Sequence, residues 1–385
     1  MLPFGRMLEY GNVKPVPAEP RITSSDYSSN FSLVQDGILY LTGSNSYNQL
    51  GVSSPPEVNN TWIKVPSTEE VLLCSTGYAQ TIYVTVSGRV WLAGNDITVN
   101  PVSNTSVWKD VTSKFSSFDM SKIKDISIDR YGLMVIAEDG SVWGTGTDST
   151  GWSGQGIQNV GFFTFKQIYS SGTAIRVFCG TGTGRILLEN GVILSAGTNT
   201  YHQCNASSVQ QVLTFTESFP GIDPSLIYQY KVCNNNCMIF LNDKRYYGTG
   251  WGSNGALGDG DTTSMNNKFY SGTLSVAPKN QRAFIKNISA ASGSGTLYLG
   301  EDGFLYGTGY WGTNLISSNT NYGVFTKCVQ STVPYNGYLI TGSNNSLIYN
   351  NGQFAVSSPK ASAPTVQALV PVLGMGEFAA LPLPK

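Results

Sequence analysis

The sequence predicts an all-β chain: a seven-bladed β-propeller with four-stranded blades, its ring closed by a terminal arm. Three observations carry this. First, one short phrase returns six times, a two-residue turn followed by mostly apolar or aromatic residues and then a glycine six positions on. It reads DGILYLTG to Gly43, SGRVWLAG to Gly94, DGSVWGTG to Gly146, NGVILSAG to Gly197, DKRYYGTG to Gly250 and DGFLYGTG to Gly309. A seventh copy, NGQFAV at Asn351-Gly352, keeps the turn and loses the second glycine. Second, the turns at 37, 88, 140, 191, 244, 303 and 352 lie 51, 52, 51, 53, 59 and 49 residues apart, and so steady a period marks a repeat architecture. Third, apolar runs flank every turn, with no capped amphipathic helical stretch between units.

Each unit contains a hairpin. Asp-Gly and Asn-Gly between apolar runs signal one, because a type I′ turn needs positive φ at both central residues. The paired runs are FSLVQ with ILYL, TIYVTV with RVWL, LMVIAE with SVW, RILLE with VIL, CMIFL with RYY, TLYLGE with FLY, and SLIY with QFAV. A third run precedes the hairpin (VLLCS, KDISID, RVFCG, YQYKV, KNISA, YLITG), and a fourth follows it (TWIKV, SVWKDV, FTFKQI, VLTFT, KFYSG, VFTKCV). Four-stranded units repeated around a ring leave few open sheet edges. The first unit is complete, from RITSS (residues 21–25) to TWIKV. The last lacks a fourth strand, which is expected from the tail at TVQALVPV (residues 365–372) or from the N-terminal arm. The expected division is an arm over 1–20, a propeller over 21–358 and a tail over 359–385 that closes the ring or docks.

GSNSYNQLG (Gly43 to Gly51), following DGILYLT, resembles the signature of the regulator-of-chromosome-condensation propellers, and GTNTYHQC and GWGSNGALGDG are partial copies. The resemblance covers about residues 21 to 358 and implies their propeller fold. Two activities found among such propellers are not expected here. No motif marks a GTPase-binding face for nucleotide exchange, and the seven tryptophans are scattered rather than clustered beside arginines as in the plant UV-B photoreceptors. Trp91 and Trp143 share a repeat slot with Tyr40, Tyr246 or Tyr247, and Tyr306 and read as blade packing.

Charged residues make up only 12% of the chain, against roughly 25% in an ordinary globular protein, so neutral polar groups must cover the surface. With 23 basic and 24 acidic residues there is no positive excess to hold phosphate backbones, and nucleic-acid binding is not expected. MLPFGRMLEY has neither the charged start nor the apolar core of a secretory signal, and no run of 18 apolar residues predicts membrane insertion.

Little points to chemistry. The single histidine, His202, sits in a loop and reads as a surface residue, so no metal centre or His-dependent triad is expected. The six cysteines lack metal-ligand spacing; Cys74, Cys179 and Cys233 recur at one place in the unit, as buried thiols filling a core would. The glycine clusters at 179–185 and 248–255 precede strands, not the helix N-terminus a phosphate cradle requires. The chain is read as a non-enzyme with no cofactor.

Recognition by surface is the remaining reading. The segment after each second glycine should emerge on one face, and these segments carry Tyr47, Trp152, Tyr201, Trp251, Tyr310 and Trp311 beside Gly, Ser and Asn. Large amphipathic rings next to adaptable polar residues are common in protein-binding surfaces. The N-terminal MLPFGRMLEYGN is similar to short leader peptides that tether tail fibres, sheaths and appendages to tailed-bacteriophage virions. Leu2, Pro3, Phe4, Met7, Leu8 and Tyr10 would be its docking residues. That resemblance, nearest to the tail sheath of the large podoviruses with a virion RNA polymerase, implies a protein made in the host cytoplasm and carried on the virion tail. It implies other virion proteins, further copies of itself and a host cell-surface receptor as partners. The competing expectation is a soluble inhibitor or regulator, similar to the secreted β-lactamase-inhibitor propellers, that binds a protein as a monomer.

Overall fold

The computed structural model describes residues 21–24, 30–53, 57–98, 103–158, 160–205, 208–232, 235–262, 267–282, 295–309, 322–328, 334–335, 337, 339–341, 346–350, 353–357 and 369–371. Its strands form seven antiparallel sheets, each made of strands consecutive in the chain. The first blade is Arg21–Ser24, Phe31–Gln35, Ile38–Ser44 and Glu57–Lys64; the second is Val71–Thr76, Gln80–Thr85, Val90–Asp96 and Ser103–Asp110. The third is Asp125–Asp129, Gly132–Ile136, Val142–Asp148 and Val160–Tyr169; the fourth is Ala174–Gly180, Thr183–Leu188, Ile193–Thr198 and Gln211–Glu217. The fifth is Ile227–Val232, Asn236–Leu241, Arg245–Trp251 and Asn267–Thr273. The sixth shows Gly295–Leu299, Leu305–Gly309 and Tyr322–Lys327, the expected KNISA strand lying outside the described residues. The seventh is Leu339–Thr341, Ser346–Asn350, Gln353–Ser357 and Leu369–Pro371. The ring's last strand therefore comes from the tail, within the stretch expected to supply it.

The first strands of the first four blades touch in succession, as do Arg21–Ser24 and Leu339–Thr341 across the ring's closure. They are the innermost strands. The core lies between blades rather than inside them. Leu73, Ile82 and Leu92 of the second blade, for example, pack on Ile126, Leu133 and Phe165 of the third. Second strands are sandwiched on both faces: every residue of Gln80–Thr85, Gly132–Ile136, Asn236–Leu241 and Gly295–Leu299 is buried. That is why they read as apolar runs without alternation.

The repeated phrase has a backbone cause. At Gly94 the third strand bulges as it pairs with the fourth, φ is +85°, and a side chain there would run into the carbonyl oxygen of Ala79. Only glycine combines the positive φ with so close an approach.

The hairpins differ from expectation. Among the described turns only Asp36-Gly37 has positive φ at both residues, 50° and 72°. In the second blade the Gly88 N–H donates to the Thr85 carbonyl (2.9 Å) and the Thr85 N–H to the Arg89 carbonyl (2.9 Å), with positive φ at Gly88. This is the longer loop, a type I turn followed by a glycine bulge; the third, fourth and sixth blades repeat both bonds, and the fifth repeats the turn bond from the Lys244 N–H to the Leu241 carbonyl. In the fifth, Lys244 fills the glycine slot at φ 72°.

The first strand begins and the last described strand finishes at one end of the ring. Arg21 pairs with Val34, next to the first hairpin turn, so the chain enters its first strand at the hairpin end. Pro371 pairs with Ala355 and Leu369 with Ser357, so the tail also runs toward that end. The opposite end carries the loops after each second glycine and the short loops between first and second strands.

Candidate protein-binding face

The innermost strands leave one edge without a strand partner, and side chains of adjacent blades satisfy its N–H groups. The Ser75 hydroxyl accepts from the Ile128 N–H (3.1 Å), the Ser127 hydroxyl from the Cys179 N–H (2.9 Å), and Asp125 Oδ2 from the Val177 N–H (2.9 Å). Asp125 is fully buried and also holds Arg176 of the fourth blade at 2.9 Å and Arg21 of the first, reaching across the axis. The Arg21 guanidinium donates further to the Lys124 carbonyl at 3.0 Å. Burial pulls the Arg176 guanidinium down to about 10. A cavity of about 810 Å³ opens beside these arginines at the hairpin end, walled by Leu72, Ile123 and Ile175.

At the loop end, Asp129 does similar work. Its carboxylate accepts from the Tyr78 N–H of the second blade (2.9 Å) and the Thr181 hydroxyl of the fourth (3.0 Å). Burial outweighs these bonds and pushes the carboxyl up to about 6. The bonds fix the loop that carries Tyr78, whose ring meets that of Tyr47 at 5.5 Å, with the hydroxyls 3.4 Å apart. The Arg130 guanidinium lies 5.3 Å from the Tyr78 ring centre and 5.3 Å from that of Tyr131. Three consecutive blades thus meet in one cluster of three tyrosines and an arginine.

The expected contact residues divide. Tyr47 is 39% exposed and belongs to this cluster. Tyr201 and Trp251, from adjacent blades, stack at 5.6 Å with 19° between their planes, and both are half-buried. Trp152 is not a surface residue. It is 1% exposed and its indole N–H donates to the Thr147 carbonyl at 2.8 Å. Its ring fills the hollow left where Gly132 has no side chain, so it is removed from the contact set. Tyr310, Trp311 and the arm residues Leu2, Pro3, Phe4, Met7, Leu8 and Tyr10 lie outside the described residues. Tyr78, Arg130 and Tyr131 were missed because they precede the hairpin, outside the repeated phrase; aligning the units on their first strands brings GYAQ and DRYG into one slot.

Nothing in this geometry organises a reacting group. His202 is half-buried at φ 58°, and its carbonyl accepts from the Thr249 hydroxyl. Cys74, Cys179, Cys204, Cys237 and Cys328 are free and buried, while Cys233 lies outside the described residues. Burial pushes the Cys74 and Cys204 thiols up to about 12 and Cys237 to about 11, far from the thiolate that nucleophilic chemistry needs. Among the described residues no group of three or more His, Cys, Asp or Glu side chains could hold a metal ion, and no helix is long and apolar enough to cross a membrane.

No protein-family model and no curated protein matches the chain. Solved structures do. Human WBSCR16 superposes with a TM-score of 0.70 at 15% identity, covering 88% of this chain and 94% of its own. Yeast RCC1 (Prp20) bound to Kap60 gives 0.68 at 14% identity, over 93% and 85% of the two chains. Prp20p from Saccharomyces cerevisiae, studied with its binding to Gsp1p and histones, gives 0.66 at 14%, over 92% and 88%. This is the RCC1-like propeller fold. At such identities the likeness extends to the fold alone, in agreement with the Gly43-to-Gly51 signature.

Proposed function

We propose that this RCC1-like propeller is a non-enzymatic protein-binding module, a regulator or inhibitor of a partner that it meets with its loop face. The carrying observation is the Tyr47–Tyr78–Arg130–Tyr131 cluster. It places rigid amphipathic rings and a guanidinium among neutral polar loops, the composition that dominates energetic centres of protein interfaces. Two further features support the reading. The Tyr201–Trp251 stack belongs to the same loop end, and the first strand begins and the last described strand finishes at the opposite one. The structurally similar Prp20 also binds proteins.

The narrower reading, a tail-borne virion protein that meets a host receptor, rests on residues 1–12, which lie outside the described residues. None of the similar structures named above is a virion protein, so the broader reading is adopted. Chemical crosslinking in the source cell, followed by mass spectrometry, tests it. Tyr47→Ser with Tyr78→Ser should lose the principal crosslinked protein, whereas Val86→Asp on the hairpin face should keep it. A partner retained by the tyrosine variant and lost by the hairpin variant would move binding to the other end.

A further inference from the structure

The loop face has an uneven charge. Around the cluster, the described loops of the first four blades at 45–53, 77–79, 97–98, 130–131, 149–158 and 181–182 contain one charged residue, Arg130, while Asp259 and Asp261 stand at the same end in the fifth blade. The nearby carboxylates are turned inward: Asp96, Asp129 and Asp148 are at most 1% exposed. Each is occupied, Asp96 by Lys109 and Thr98, Asp148 by Ser153, and Asp129 by Tyr78 and Thr181.

Arg130 is exposed, and its guanidinium lies over the Tyr78 and Tyr131 rings, with the buried Asp129 carboxylate as a charged neighbour and no ion pair or side-chain hydrogen bond of its own among the described residues. A guanidinium resting on aromatic rings is held in place by cation–π attraction while its N–H edge stays available. That edge matches a carboxylate in two-pronged geometry. Flanking tyrosines exclude water around the pair and offer hydroxyls to the same ligand.

Building on the protein-binding reading, we infer that the Tyr47–Tyr78–Arg130–Tyr131 cluster recognises an acidic segment of a partner protein, seating one Asp or Glu carboxylate on Arg130 between the tyrosine rings. Charge complementarity argues for this occupant: one fixed cation among the neutral loops of its own and the neighbouring blades gains from an anion and rejects a basic segment.

The test selects a displayed random-peptide library against the immobilised full-length protein and then measures individual peptides in solution. Wild type should enrich peptides containing Asp or Glu, and their binding should weaken as salt rises. Arg130→Glu should weaken them at least about tenfold, and Arg130→Lys less. Arg130 is exposed, so unchanged thermal unfolding of both variants would show that the ring is intact. Enriched peptides that lack acids yet are lost by the Tyr47→Ser, Tyr78→Ser variant would overturn the acidic partner and leave the loop-face reading standing. Acidic peptides that bind Arg130→Glu as well as wild type would also overturn it. Peptides indifferent to the tyrosine variant would overturn the loop-face reading itself.

Discussion

Asp125 of the third blade holds Arg176 of the fourth at 2.9 Å, both groups almost fully buried, and the same carboxylate takes Arg21 of the first blade. One side chain therefore ties together innermost strands that the chain itself keeps a hundred residues apart.

Removing that carboxylate strands two guanidinium groups. Asp125→Asn should lower stability by about 3–5 kcal/mol, read from denaturant unfolding. Asp125→Leu combined with Arg176→Met and Arg21→Met, which removes all three charges together, should cost less. Equal losses would mean that the packing of the strand, rather than charge, sets its stability.

Asp129 makes stability depend on pH in the acid range. Between the unfolded value of about 3.9 and the folded value of about 6, the folded chain keeps a proton that the unfolded chain has released. The resulting stabilisation is complete below the unfolded value and is lost as pH rises through the folded one, a change on the order of 2–3 kcal/mol. Asp129→Asn should flatten this decline in unfolding curves taken across the range. An unchanged decline would assign it to other groups.

Lys231 acts in the opposite direction. It is 5% exposed in an innermost strand, and burial pulls its ammonium down to about 7. From there up to the unfolded value of about 10.4, the unfolded chain binds a proton that the folded chain does not. Stability from this group therefore rises with pH over that window. Lys231→Met should abolish the rise and be more stable than wild type at neutral pH. A less stable variant would indicate that the ammonium is bonded in solution.

Lys244 occupies a backbone conformation that the matching glycines adopt freely. Lys244→Gly should raise stability by about 1 kcal/mol, measurable as a higher melting temperature. A drop would mean that its Nζ contact with the Ser275 carbonyl, at 3.4 Å, outweighs the backbone strain.

Deleting residues 359–385 removes the strand Leu369–Pro371 and bares the edge of Gln353–Ser357. Exposed edges pair with other chains, so the shortened protein should form larger species than the full chain in sedimentation velocity runs. Identical sedimentation would show that the tail strand is dispensable.

The architecture was legible because each blade is spelled out locally. The turn, the flanking apolar runs and the bulge glycine fall within about a dozen residues, and repetition confirms each from the next. Turn type was less so: Ser87-Gly88 and Asp36-Gly37 look alike in sequence, yet the first closes a longer loop because Val86 joins the turn. The proposed binding face was half visible. Tyr47 and the Tyr201–Trp251 pair stood in the expected slot, but Trp152 in the same slot turned inward over Gly132, a glycine in another strand. Tyr78 and Arg130 come together only through Asp129, and no local pattern reports a contact between residues of different blades. The Asp125 network was invisible for the same reason.

The entry of Arg21 and the exit of the tail at one end give the ring a polarity. Copies anchored through their termini on a common support would all point their tyrosine clusters the same way. Individually weak contacts would then act in parallel against a partner that is itself repeated, and such avidity can exceed the single affinity by roughly 10²–10⁴ where the spacing allows both to engage.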